Sequence, residues 1–160
     1  MYKVDGLSKL SDYASALEVD SPEIDCKIKS IKFDSRFAKN NDLFIPLKGQ
    51  KFNGEDFTDE ALNNGAAVIT QKNLNGLSLK VKNVYKCLLK LAKKNLENIR
   101  PKIIFITGSF GKTTIKDMLK HHLGDKCHCS NENENNEFGI PFTILSMPID
   151  TKYLVVECGA

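Results

Sequence analysis

The run Thr107-Gly108-Ser109-Phe110-Gly111-Lys112-Thr113-Thr114 restricts this chain more than any other stretch. The apolar residues 103–106 lead into it. Ile115, Met118, Leu119 and His122 lead out of it at helical spacing, with Gly124 as the stop. A buried strand, a glycine-bearing turn and a helix, in that order, bring unpaired helix N–H groups and the positive end of the helix dipole to one point. That is the setting a phosphate group needs. Gly108 and Gly111 let the backbone turn its amides inward with no Cβ in the way. The amides of Ser109, Phe110 and the residues through Thr114 complete the expected cradle. Lys112 supplies a mobile ammonium for the outer phosphates, and the Thr113 hydroxyl is a candidate Mg²⁺ ligand. The spacing is G-x-x-G-K-T, shorter than the general G-x-x-x-x-G-K-[ST] pattern, and Ile106 stands where the longer pattern has its first glycine. A glycine turn beside an ordinary surface lysine is the competing reading, and it leaves both flanking elements unexplained.

Glu157 is the second signal. It ends the apolar run Tyr153-Leu154-Val155-Val156 and precedes Cys158-Gly159. Ligands collect beyond the carboxyl ends of parallel strands, so a carboxylate there, next to a phosphate loop, reads as a Mg²⁺ ligand and catalytic group. Taken alone it reads better as a strand-end charge facing water; the phosphate loop beside it is what favours the Mg²⁺ reading. The segment Asn133-Glu134-Asn135-Asn136-Glu137-Phe138-Gly139-Ile140-Pro141 stays open. Its amides suit phosphate oxygens, metal-bound water or an adenine edge, or it is a solvated turn before a helix with Pro141 in the first turn.

The elements around these motifs alternate. Helical spacing of Leu7, Leu10, Tyr13, Ala14 and Leu17 predicts a helix over 7–18. Strands are expected over 28–33 and 43–47, the second pushed towards a sheet edge by Pro46. A short helix over 57–64, closed by Gly65, then leads to a strand over 66–69, and 71–78 is dense in turn residues. Val84, Leu88, Leu91, Leu96 and Ile99 form the stripe of an amphipathic helix ended by Pro101, with the lysines of 86–94 on its solvated face. A strand near 126–129, a helix over 141–146 and a strand over 153–157 complete the pattern. Strands alternating with helices imply parallel pairing. The fold class is α/β: a small mixed α/β domain over 1–80, then the start of a P-loop parallel-sheet ATPase domain over 81–160.

Charge and cysteines exclude several classes. A net charge of +3 does not call for a nucleic-acid partner. The longest apolar runs are too short to span a bilayer, so no membrane insertion is expected. The first residues carry no apolar signal segment, and the five cysteines lack a framework spacing, which together predict a cytoplasmic protein with reduced thiols. Cys127-His128-Cys129, with His121 and His122 nearby, invites a zinc reading but lacks a second ligand pair. Small apolar packing on one strand face suits these cysteines better.

The stretch from Ile106 through the Thr113-Thr114-Ile115-Lys116-Asp117-Met118-Leu119 run resembles the ATP loop of the Mur ligases, the ATP-dependent amide ligases of peptidoglycan precursor synthesis. The short loop spacing is that family's own. Asn133-x-Asn135-Asn136-x-x-Gly139-x-Pro141, followed by Val155-Val156-Glu157-Cys158-Gly159-Ala160, resembles the branch that joins D-alanyl-D-alanine to UDP-N-acetylmuramoyl-tripeptide. Asp34-Ser35-Arg36, Asn41 to Gly49, Phe52 to Phe57 and Asn64-Gly65-Ala66-Ala67 are similar to that family's N-terminal domain, and are shared with the branch that adds the third amino acid. The resemblance implies that ATP is held by the loop together with Asn135 and Asn136, and Mg²⁺ by Thr113 and Glu157. It implies that Asp34, Ser35, Arg36, Lys48, Gly49, Asn53, Gly54, Asp56 and Phe57 hold the UDP-sugar end of the substrate, in a monomer. Pro46, Asn53, Glu55, Phe110 and Glu132 depart from the family's usual residues; Lys112, Thr113 and Glu157 do not.

Family members also have a longer central domain and a C-terminal domain, with a metal-binding histidine, a carbamylated lysine, the adenine pocket and much of the amino-acid site. The expectation is therefore an incomplete chain without turnover of its own. Two other readings compete: a small P-loop kinase or GTPase, against which stands the missing N-K-x-D signature, and a non-catalytic remnant that binds UDP-sugar or nucleotide.

Overall fold

Short apolar runs separated by turn residues make the first part of the chain a sheet of very short strands. In the computed structural model, which describes residues 1–49, 52–130 and 138–158, the chain divides into two units, Met1–Leu91 and Ala92–Ala160. The first holds α1 (Leu10–Leu17), β1 (Ser30–Lys32), β2 (Asp42–Phe44), α2 (Thr58–Asn63), β3 (Ala67–Thr70) and β4 (Ser78–Lys80). Its four strands pair in parallel in the order β1-β2-β3-β4. Helix α3 (Val84–Ile99) begins in this unit and ends in the second. Val84, Leu88 and Leu91 of its apolar stripe are buried.

Helix α1 starts later than its spacing predicts. The Asp12 carboxylate accepts from the backbone N–H groups of Ser8 (2.9 Å) and Lys9 (2.8 Å), which fixes the first turn at Leu10. Those two amides hold the Asp12 carboxyl below its ordinary value. Residue Pro46 does not put its strand at an edge. β2 lies between β1 and β3, with Leu43, Phe44 and Ile45 buried, and ends before Pro46, so the ring removes no ladder donor. The turn-rich stretch 71–78 runs into β4, whose alternation of exposed and buried residues is too short to read in sequence.

The second unit holds β5 (Lys102–Ile106), α4 (Lys112–Leu123), β6 (Cys127–Cys129), α5 (Gly139–Leu145) and β7 (Tyr153–Glu157). All pairing is parallel, in the order β5-β7-β6. Central β7 buries Leu154, Val155 and Val156, whereas edge strand β5 leaves Phe105 63% exposed. Helix α5 begins at Gly139, two residues before the predicted start, with Pro141 inside its first turn where no N–H is needed. The Asn95 side chain donates to the Ile144 carbonyl (2.8 Å), tying α3 to α5. Among the described residues no helix is long and apolar enough to cross a membrane.

Candidate active site

Register places the site. Ile106 of β5 pairs with Glu157 of β7, and the Cys158 N–H donates to the Ile106 carbonyl (2.9 Å), so both strands end level. From there the chain turns through Gly108 (φ 141°) and Gly111 (φ 77°) into α4. Both angles lie where side chains are disfavoured. A Cβ at Gly111 would meet nothing within 4 Å, and one at Gly108 only the Phe110 carbonyl at 3.9 Å. Backbone conformation, rather than the space for a Cβ expected from the sequence, is what these positions ask of glycine.

Gly111 caps α4 with no side chain, and the first turn carries no acidic residue, so the helix end keeps its positive character. The Lys112 ammonium arches back and donates to the Gly108 carbonyl (2.6 Å), across the mouth of the loop. Ser109 and Thr114 are exposed, and Phe110 is 94% exposed. The Thr113 hydroxyl donates to Glu157 Oε2 (3.2 Å), bringing together the two candidate oxygen ligands, which the sequence keeps far apart. Two hard oxygens at the start of a helix, beside a lysine, fit Mg²⁺ held jointly with phosphate.

Two residues that sequence reasoning passed over complete the arrangement. Lys116 lies 3.8 Å from the same Glu157 oxygen, with both side chains buried. The Ser130 hydroxyl accepts from the Glu157 N–H (3.1 Å), and the Ser130 N–H donates to the Val155 carbonyl (3.1 Å), so β7 is held at its very end. The signal for Lys116 was its spacing: four residues past Lys112 and three past Thr113, it shares their helix face. Asn135 and Asn136 lie outside the described residues.

The Cys127 and Cys129 sulfurs stand 3.6 Å apart on one face of β6. Burial, reinforced by the Cys127 thiol, pushes the Cys129 thiol up to about 12, which disfavours the thiolate that metal ligation requires.

The candidate substrate residues lie in the first unit, beyond the carboxyl ends of β1 and β2. Asp34 and Arg36 pair with each other in a bidentate contact (2.9 and 2.7 Å), and the guanidinium holds the Asp34 carboxyl below its ordinary value. The Ser35 hydroxyl is buried and donates to Glu60 of α2 (2.6 Å). Lys48 and Gly49 are exposed; the Gly49 N–H donates to the Phe52 carbonyl and the Gly54 N–H to the Leu47 carbonyl. The Asn53 side chain caps the next turn at Glu55 (3.4 Å), which carries Asp56 and Phe57 outward. Glu55 itself is buried and accepts from the Thr70 hydroxyl (2.7 Å) and the Gln71 N–H (2.9 Å), fastening this loop to the end of β3.

A Cβ at Gly54 would sit 2.7 Å from the backbone of Leu47 and Pro46. Gly54→Ala is therefore expected to destabilise the first unit by about 1–3 kcal/mol, read from its urea transition. An unchanged midpoint would show that the turn gives way freely.

Residues 27–106 match the description of the Mur ligase family catalytic domain, and residues 106–160 that of the Mur ligase middle domain. The chain belongs to the Mur ligase family. Within the Mur ligases it is 37% identical over 140 residues to the UDP-N-acetylmuramoyl-tripeptide–D-alanyl-D-alanine ligase of Bacillus subtilis, covering 82% of this chain and 31% of that protein. It is 36% identical over 144 residues to the same-named ligase of Haemophilus influenzae, covering 84% and 32%. Among solved structures it resembles MurF from Acinetobacter baumannii (TM-score 0.79, 30% identity, 92% of this chain and 35% of that one). It also resembles the Thermotoga maritima MurF ligase in complex with ADP (TM-score 0.72, 36% identity, 79% and 31%). This Mur ligase chain thus spans about a third of the length of those relatives.

Proposed function

We propose that residues 1–160 supply the nucleotide-phosphate site and the UDP-sugar-binding unit of an ATP-dependent amide ligase of peptidoglycan precursor synthesis. The ligase is the one that joins D-alanyl-D-alanine to UDP-N-acetylmuramoyl-tripeptide in the cytoplasm. The convergence of Lys112, Thr113 and Glu157 at the level ends of β5 and β7, in a chain 37% identical to a ligase of that name, carries this reading. The N-terminal domain, about residues 1–80, holds the UDP-sugar end through Asp34, Ser35, Arg36, Lys48, Gly49, Asn53, Gly54, Asp56 and Phe57. The domain that follows, 81–160, binds ATP through the loop together with Asn135 and Asn136.

The chemistry follows from the substrates. A peptide carboxylate is a poor electrophile, so it is first phosphorylated by ATP. The amine of D-alanyl-D-alanine then attacks the acyl phosphate, phosphate leaves, and an amide remains. Lys112, released from Gly108, offsets charge on the transferring phosphoryl group, while the amides from Gly108 to Thr114 orient the phosphate chain. Thr113 and Glu157 are the residues that would hold Mg²⁺, whose charge neutralises the phosphate oxygens.

Calorimetric titration of the chain with ADP plus Mg²⁺, and separately with UDP-N-acetylmuramoyl-tripeptide, is expected to show binding of both. Failure of both would sink the reading. The second reading is the branch that adds the third amino acid, since the chain is also 35% identical over 134 residues to a UDP-N-acetylmuramoyl-L-alanyl-D-glutamate–2,6-diaminopimelate ligase. Preference for the UDP-dipeptide over the UDP-tripeptide would select that branch. With ATP, UDP-tripeptide and D-alanyl-D-alanine together, the purified chain is expected to form no product.

A further inference from the structure

We propose that Lys116 is a positioning residue: its buried ammonium holds the Glu157 carboxylate beside Thr113, and through Glu157 it sets how far Mg²⁺ strengthens nucleotide binding. The inference rests on the phosphate-site reading above and adds a residue to it.

A lysine is almost never fully buried unless it is paired. The Lys116 side chain is 5% exposed and the Glu157 side chain 9%, with 3.8 Å between ammonium and Oε2. That distance is an ion-pair contact rather than a short hydrogen bond. The Thr113 hydroxyl meets the same oxygen at 3.2 Å, so one carboxylate oxygen is fixed from two positions on a single helix face. Lys112, one turn earlier on that face, turns the other way to the Gly108 carbonyl. The two lysines have separate tasks: Lys112 serves the phosphate mouth, and Lys116 serves the strand end. The backbone of Glu157 is already pinned by Ser130, so its side chain is what Lys116 adds to the fixed frame. A carboxylate held in one place by a partner that does not itself touch the ion is the arrangement by which outer groups raise metal affinity, typically about 10–100-fold.

The test compares ADP binding in EDTA with ADP binding in excess Mg²⁺, by calorimetry on the whole chain. Lys116→Met is expected to bind ADP in EDTA as the unsubstituted chain does and to lose about tenfold or more of the tightening by Mg²⁺. Lys116→Arg, which keeps the charge, is expected to recover most of it. Glu157→Gln should lose the tightening outright, and adding Lys116→Met to that background should change nothing further, because the lysine acts through the carboxylate. The double variant also removes both buried charges, so it keeps the comparison available where the single methionine variant folds poorly. Should Lys116→Met be insoluble, Lys116→Gln carries the same expectation.

Full tightening by Mg²⁺ in Lys116→Met would overturn the proposal. So would an equal loss of ADP binding in EDTA, or a further loss in the Glu157→Gln background, since either makes the lysine a support for α4 alone. If the unsubstituted chain binds no ADP, the phosphate-site reading fails and takes this inference with it. If it binds ADP and the variants do not differ, only the inference fails.

Discussion

Lys112→Ala is expected to weaken binding of ADP plus Mg²⁺ by about 3 kcal/mol, roughly a hundredfold, while leaving the melting transition almost unmoved. Among the described residues the ammonium's hydrogen bond at the mouth of the loop is to the Gly108 carbonyl, so its loss removes little from the fold. At the proposed phosphate site a nucleotide would present charged oxygens at the same mouth, and Lys112 is the one cation of the loop 107–114 that could meet them. Lys112→Arg is expected to recover only part of the affinity, since a planar fork does not reproduce the compact point charge of the ammonium. Unchanged affinity in Lys112→Ala, measured by calorimetry, would remove the phosphate-loop assignment.

The second large effect is structural. Phe44 is 1% exposed and packs among Ala38, Ala61, Ala66 and Val68, with Leu62 and Leu74 at the margin. Phe44→Ala is expected to destabilise the first unit by about 3–5 kcal/mol, towards the upper end of that range. Three of the neighbours are alanines, which have no rotamer to swing into the space, so the cavity stays open rather than collapsing. Phe44→Leu should lose markedly less. Urea titration followed by far-UV circular dichroism separates these outcomes, and a loss below about 1 kcal/mol would mean that the cluster repacks. The substitution lies in the first unit, so ADP binding by the second is a useful control for its reach.

How much of this was legible in the sequence depends on the range of the interaction. The phosphate loop was readable because strand, glycines, lysine and helix are contiguous, and α3 because its stripe repeats over four turns. β7 and its terminal Glu157 were readable from a run of apolar residues broken by one charge. Placement across the sheet was not. Pro46 suggested an edge because a proline inside a strand must lie at one, yet the strand stops before it and is central. Lys116 looks like any polar helix residue until β7 is laid beside α4. Gly54, which the resemblance gives to substrate, has a steric reason of its own that only the approach of Leu47 reveals. Each of these depends on a neighbour remote in the chain, and no local pattern encodes it.

The strand order of the second unit has a consequence for how the site comes into being. Among the described strands of this unit, β7 is synthesised after β5 and β6 and lies between them, pairing with β5 on one side and β6 on the other. Until Tyr153–Glu157 leaves the ribosome, β5 and β6 have no common neighbour, and the loop after Ile106 has no carboxylate to face. Insertion of β7 therefore closes two long loops in one event and brings the carboxylate to the loop at the same moment. A nascent chain that stops short of Glu157 has the glycine loop but lacks the carboxylate that Thr113 and Lys116 meet.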